Sequence, residues 1–278
     1  MATRPFETIT LSLVNIKGGV AKSVSSLFIA WGLALSGYQV LLLDMDPQSN
    51  STYSLTGELS ELPDGTLYEV LKEHPTKTLR EVIKATRHPN LYVASGSLWL
   101  SSTEIELISA TMREFVLKNA LTEVLPYFHF VIIDTPPNLG LLTINAMVAS
   151  TYLIVPTTLK LFGLVGIRIL NRTLDVLRAK FGQFSITLPI LGVLVTQVRR
   201  PMTKNAKERY AQVQRMYGEK LFTTIIPLTE KLEEATDQES GQEMTGYEYS
   251  PGGIGTQAYA AVVKEILHRV GVHPTPKT

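Results

Sequence analysis

Residues 17–23 read Lys17-Gly18-Gly19-Val20-Ala21-Lys22-Ser23, and few folds accommodate what flanks them. Upstream, Thr8-Ile9-Thr10-Leu11-Ser12-Leu13-Val14 reads as a strand, and downstream Val24, Leu27, Phe28 and Trp31 recur at helical spacing. A strand, a glycine-rich turn and a helix in that order make a phosphate cradle, because the turn's N–H groups and the helix N-terminus converge on one anion. In such a loop Lys22 reaches the β- and γ-phosphates, and the Ser23 hydroxyl helps hold Mg²⁺. Lys17 is surplus to that task and points to a second one.

Apolar runs recur along the chain with helical stretches between them. Strands are expected at 9–14, 39–44, 90–94, 130–134, 151–156 and 188–196. Helices are expected at 22–36, 66–73, 78–86, 103–109, 112–125, 139–149, 163–181, 204–217 and 255–270. Several strands are nearly unbroken hydrophobic runs, the pattern of parallel strands buried on both faces. The alternation predicts an α/β fold with a doubly wound, mostly parallel sheet flanked by helices, in one domain over 1–278. Residues 1–7 and 272–278 are expected to be frayed tails, and 237–256 a long polar loop.

Two further strand ends carry acids. Asp44-Met45-Asp46-Pro47-Gln48 closes the second strand, and its two carboxylates are expected to face the crevice at the strand's C-terminal end. One can orient or deprotonate a water while the other supports a metal shell. Asp134-Thr135-Pro136-Pro137 follows Val131-Ile132-Ile133, an acid placed as in a Walker B strand to hold Mg²⁺ through water.

The 278 residues contain no cysteine, which rules out a disulfide framework, thiolate zinc and iron–sulfur clusters. No long apolar run or basic-then-apolar leader is present, so a cytoplasmic location is expected. Net charge is only +1, yet residues 160–231 hold 13 Lys+Arg against 4 Asp+Glu, or +9, which implies a basic face.

Together the segments 17–23, 44–50 and 134–137 resemble those of the ParA family of deviant-Walker P-loop ATPases. Val155-Pro156-Thr157, Ile226-Pro227 followed by Leu232-Glu233-Glu234-Ala235, and the stretch Tyr259 to Leu267 are similar too. The resemblance spans about residues 8–270 and implies ATP and Mg²⁺ as ligands. It implies that Lys17 crosses an ATP-bound homodimer to the partner's phosphates, that Lys22 serves its own nucleotide and that Asp46 aligns the attacking water. Ser23, Asp44 and Asp134 would support the metal, and Pro227 would lie near the adenine. Gly18, Gly19, Val20, Ala21 and Val24 complete the nucleotide-binding set.

Two positions depart from that pattern. The family usually has Gly where Ala21 stands, and a Cβ there strains a backbone that glycine tolerates. It usually has a Thr pair where Ser23-Val24 stands, and Val24 offers phosphate no hydroxyl. Slow hydrolysis, stimulated by a ParB-like or other cargo-linked partner, is therefore expected.

The resemblance also implies sequence-independent DNA binding, and the basic segment offers Arg199, Arg200, Lys204, Lys207, Arg209 and Arg215 as candidates. The expected role is partition or positioning of cargo, plasmid or chromosome, by a nucleoid-associated protein. No helix-turn-helix is read before Thr8, so operator binding is not expected. Alternative readings are a MinD-like membrane-associated positioning ATPase and a nucleotide switch with little hydrolysis. The first needs a basic amphipathic C-terminal helix, whereas Leu267-His268-Arg269-Val270-Gly271-Val272-His273-Pro274 is short and broken by proline.

Overall fold

The computed structural model describes residues 7–59, 62, 64–229 and 252–272, with the backbone alone over 161–164. Seven strands form one sheet in the order β3-β4-β2-β5-β1-β6-β7. They are β1 (Ile9–Leu13), β2 (Val40–Asp44), β3 (Ile83–Ala85), β4 (Leu91–Ala94), β5 (Phe130–Asp134), β6 (Tyr152–Thr158) and β7 (Ile190–Thr196). Every pairing is parallel except β3 with β4 at one edge. The expected doubly wound, mostly parallel sheet is what the chain forms.

Side-chain alternation explains why helices cover both faces. Val40 and Leu42 of β2 join Leu11, Leu13 and Ile132 in a cluster under α1 (Lys22–Leu35) and the C-terminal helix. Leu41 and Leu43 point the other way, into a cluster with Val131, Ile133, Leu142 and Ala146. On that second face, β6 and β7 send Leu153, Val155, Val193 and Val195 against a helix that spans 161–181. Strands buried on both sides require the near-continuous apolar runs seen in the sequence.

Among the described residues the helices, in chain order, are α1, α2 (Asn50–Thr56), α3 (Leu67–Leu71), α4 (Leu79–Val82), α5 (Leu100–Glu106), α6 (Val116–Leu121), α7 (Leu141–Ala149), α8 (Leu161–Phe181), α9 (Lys204–Tyr217) and α10 (Ile254–Arg269).

Several expectations need correction. The stretch 78–86 is not one helix: α4 stops at Val82, and Ile83–Ala85 turns into the antiparallel edge strand β3. Leu79 and Val82 are buried at helical spacing, which is why the stretch reads as a helix, but Lys84 pairs with Val93 across the sheet edge. The stretch 112–125 breaks into a 3₁₀ turn (Arg113–Phe115) and α6, followed by a second 3₁₀ turn at Leu125–Tyr127. The helix expected at 103–109 begins earlier, as α5, and α2 was not foreseen at all. Most of the loop expected at 237–256, the segment Leu232–Ala235 and residues 273–278 lie outside the described residues.

Candidate active site

The three motifs meet at one end of the sheet because the strands that carry them are neighbours. Leu13 of β1 is in register with Asp134 of β5, and Asp134 in turn with Asp44 of β2. The glycine turn after β1 and the acids closing β5 and β2 therefore stand side by side at the C-terminal edge, where open α/β sheets bind ligands.

The turn is held by its own polar groups. Asn15 donates to the Pro156 carbonyl at 2.7 Å and accepts from the Lys17 N–H at 3.0 Å, tying the loop's first residue to β6. Lys22 Nζ donates to the Lys17 carbonyl at 3.1 Å, and Thr196 Oγ1 donates to the Val20 carbonyl at 3.0 Å. Gly18 and Gly19 are exposed, α1 has no side-chain N-cap, and no acid sits in its first turn. Its N-terminal N–H groups and positive dipole end are thus available to an anion.

Ala21 sits at φ 59°, ψ 40°, in the left-handed region that the sequence reading anticipated for a glycine. An L-residue there costs roughly 1–2 kcal/mol. Glycine would remove that strain but adds about 0.5–1 kcal/mol of unfolded-chain entropy. Ala21→Gly is therefore expected to stabilise the nucleotide-free protein by up to about 1.5 kcal/mol. Urea unfolding with an unchanged m-value measures it.

Behind the turn lies a buried carboxylate pair. Asp134 accepts from Ser26 Oγ at 3.2 Å and Ser51 Oγ at 2.7 Å, and the Ser23 hydroxyl also reaches it. Asp44 Oδ2 accepts from both the N–H and the hydroxyl of Thr52 at 2.7 Å each, while its Oδ1 accepts from the Asp46 N–H at 3.3 Å. Burial, reinforced by Asp134, pushes the Asp44 carboxyl up to about 8. Burial raises Asp134 and Asp46 as well, and lowers Lys22 against the pull of Asp134 and Asp46.

The raised Asp44 has a thermodynamic consequence. Its unfolded value is roughly 3.9, so the folded chain holds this proton more tightly and loses stability as pH rises from about 4 to about 8. The slope cannot exceed about 1.4 kcal/mol per pH unit for one proton. Relative to wild type, nucleotide-free Asp44→Asn is expected to gain thermal stability as pH goes from 6 to 8, as read by the difference between their melting curves.

Asp46 lies just past the end of β2, in the turn rather than on the strand, with its Oδ1 accepting from the Gln48 N–H at 3.0 Å. Both acids nonetheless stay buried beside Lys22 and Asp134. Pro227 is buried and bridges to Val198 just beyond β7, two residues from the Thr196 that holds the turn. Ser26, Ser51 and Thr52 were missed by sequence reasoning. Their only signal was closeness to the motifs.

The residues fit a Mg²⁺–nucleotide. Among the described residues no three His, Cys, Asp or Glu side chains close a cage, and Mg²⁺ sites of this kind use one or two carboxylates plus phosphate oxygens and water. Excess buried carboxylate beside an uncapped helix N-terminus is the charge arrangement such a pair would complete.

The basic candidates divide. Arg199 and Arg200 are exposed after β7, and Lys204, Lys207 and Arg215 are exposed on α9. At about 100° per residue, Lys204, Lys207 and Arg215 share one side of that helix. Arg209 projects from the opposite side, is half-buried and donates to the Leu159 carbonyl at 3.0 Å, which makes it a packing residue of the β6–α8 junction. Among the described residues no helix is long and apolar enough to cross a membrane.

Comparison with known proteins bears on these features. Residues 8–186 match a family model described as an AAA domain. The chromosome-partitioning ATPase Soj of Treponema pallidum is 36% identical over 264 residues, covering 94% of this chain and 98% of that one. Among solved structures, apo McdA from Cyanothece superposes with TM-score 0.80 at 25% identity, over 94% of this chain and 99% of that one. Cobyrinic acid a,c-diamide synthase from Mycobacterium smegmatis, with bound ADP and magnesium, gives TM-score 0.77 at 27% identity over 98% and 99%.

Proposed function

The chain belongs to the ParA/Soj family of P-loop partition ATPases, and from that premise we propose that it is an ATP-dependent dimerising ATPase that holds DNA through a basic face and partitions or positions cargo. The observation that carries the reading is the convergence of the glycine turn, Asp44–Asp46 and Asp134 at three adjacent strand ends. Lys22 and the turn's N–H groups cradle the phosphates, with Gly18, Gly19, Val20, Ala21 and Val24 shaping the loop. Ser23, Asp44 and Asp134 would hold Mg²⁺, which would supply charge neutralisation on the transferring phosphates. Asp46 orients the attacking water, and Pro227 lines the base.

Lys17 gives the reading its dimer. Its backbone carbonyl receives the Lys22 ammonium, which sets Lys17 at the edge of the proposed phosphate cradle, and a second lysine there supports delivery of its charge to a second copy. A cation delivered from a second copy makes nucleotide charge the glue of the pair, and hydrolysis loosens it. A cargo-linked activator of the ParB type would then time release. The biosynthetic likeness noted above shares the ATP fold and leaves the basic face without a role.

Arg199, Arg200, Lys204, Lys207 and Arg215 form the proposed DNA face. Replacing phosphate-contacting arginines lowers affinity for every sequence alike and flattens its salt dependence, by about 0.9 in log–log slope for each contact. Arg199→Gln with Arg200→Gln is expected to reduce the slope by roughly 2, in filter binding of ATP-loaded protein to unrelated duplexes. An unchanged slope removes both residues from the interface. Arg209→Gln is expected to leave the slope as it is.

A further inference from the structure

The segment around α5 is apolar on both of its sides. Leu100, Thr103 and Leu107 are buried beneath it. Leu98, Ile105 and Ile108 face outward at 64%, 71% and 65% exposure. Turn hydrogen bonds from Ser101 to Leu98 and from Ile108 to Ile105 carry the helical path over both ends of α5. Leu98, Ser101, Ile105 and Ile108 therefore recur at one-turn spacing along a single stripe. None of these four side chains is charged, although the Arg113 guanidinium donates to the Ile108 carbonyl at 2.7 Å at the stripe's end, and Trp99 and Met112, also exposed, widen it. A contiguous apolar surface of this kind marks a contact site.

What lies under the stripe ties it to the nucleotide site. The Gly96 N–H donates to Thr52 Oγ1 at 2.9 Å, and that hydroxyl donates to Asp44 at 2.7 Å. The backbones are so close that a Cβ on Gly96 would stand 2.7 Å from the Asp44 carbonyl oxygen. At the other end of α5, Glu104 accepts from the Leu142 N–H at 3.1 Å, at the start of α7 and just after the Asp134-Thr135-Pro136-Pro137 segment. The segment leading into α5 is thus tied through Gly96 to Thr52, which holds Asp44, and α5 itself through Glu104 to the start of α7. Exposed Pro137 and Asn138 continue the surface from α5 to the glycine turn, where Gly18 abuts Pro137.

We propose that the outer stripe Leu98–Ile105–Ile108 is the apolar part of a nucleotide-dependent contact with a second copy of this chain, set in place by the Asp44–Thr52–Gly96 and Glu104–Leu142 hydrogen bonds. This rests on the ATP-dependent dimer proposed above. Two features choose a second copy over a different protein. A two-fold axis sets like against like, which an uncharged apolar stripe satisfies and a charged one does not. The stripe is also continuous with the glycine turn that Lys17 must bring up to a partner. ATP and its cation, by acting on Asp44 and the loop after Asp134, re-aim α5 through the same hydrogen bonds.

The chain has no cysteine, so Ile105→Cys carries a single thiol, with Val176→Cys on the exposed side of α8 as a control. Both are placed in an Asp46→Ala background to retain ATP. Maleimide labelling is followed with no nucleotide, ADP·Mg²⁺ and ATP·Mg²⁺ over a range of protein concentrations, with sedimentation run in parallel. The expected result is labelling at position 105 slowed at least 10-fold with ATP, in proportion to the dimer fraction, and position 176 unaffected. Full labelling at 105 in a demonstrated dimer overturns the proposal and leaves the stripe to another protein. Protection independent of concentration also overturns it, because the chain's own segments then cover the stripe. If ATP yields no dimer at any concentration, the dimer reading fails first and takes this one with it. As a second variant, Ile105→Ser with Ile108→Ser is expected to weaken dimerisation at least 10-fold while a fluorescent ATP analogue still binds the monomer; equal dimerisation contradicts the proposal.

Discussion

Asp46→Ala is expected to cut ATP turnover by about 10²–10⁴-fold while leaving ATP binding and the ATP-driven dimer intact. Asp46 sits beyond the end of β2, nearly buried, with the Gln48 N–H fixing one oxygen and Lys22 and Asp134 as its charged neighbours. That position suits a group that orients a water rather than one that holds the nucleotide. The proposed cradle of the turn's N–H groups and Lys22 is expected to survive the substitution. Burial raises the Asp46 carboxyl, and the Gln48 N–H and then the positive charge of Lys22 counteract this. Phosphate release under saturating ATP separates the two roles when paired with nucleotide-binding titration. Wild-type turnover in Asp46→Ala would assign the water to another residue.

Lys17→Gln is expected to have an effect of similar size by a different route. A cation supplied in trans to transferring phosphates is worth about 10³–10⁵ in rate in related chemistry. The loop's backbone is fixed by the Lys17 N–H on Asn15 and by the Lys17 carbonyl under Lys22. Monomeric Lys17→Gln should therefore still bind ATP, within a factor of about three, yet fail to dimerise and lose turnover by about 10³-fold. Mixing the variant with wild type tests the direction of delivery, since a trans contact makes the variant's own nucleotide the one that is served. If Lys17→Gln instead loses ATP binding outright, the lysine serves its own loop.

Much of this was legible in the sequence, for identifiable reasons. The central strands announce themselves because a parallel strand covered on both faces must be an unbroken apolar run, as Val40-Leu41-Leu42-Leu43 and Phe130-Val131-Ile132-Ile133 are. The left-handed backbone at Ala21 could be foreseen because the motif's usual glycine is missing there. Helix α2 could not. Asn50-Ser51-Thr52-Tyr53-Ser54 favours turns by propensity, and what makes it helical is distant: Asp44 accepts the Thr52 N–H at 2.7 Å and so caps the first turn from another element. Strand β3 was hidden likewise, since its partner β4 is reached only by a reversal at His88–Asn90 that local periodicity does not report. Arg209 shows the limit of charge counting. Its type and neighbourhood match the exposed bases, and only the helix phase turns it inward to Leu159.

The dimer is the hinge of the account, because Lys17, the α5 stripe and the timing of release all depend on it. Sedimentation equilibrium of Asp46→Ala across a wide concentration range, with ATP·Mg²⁺ and then with ADP·Mg²⁺, addresses it directly. The account predicts a mass of twice 30.8 kDa with ATP and a single chain with ADP. A single chain in both, at concentrations where ATP is shown to be bound, would contradict it.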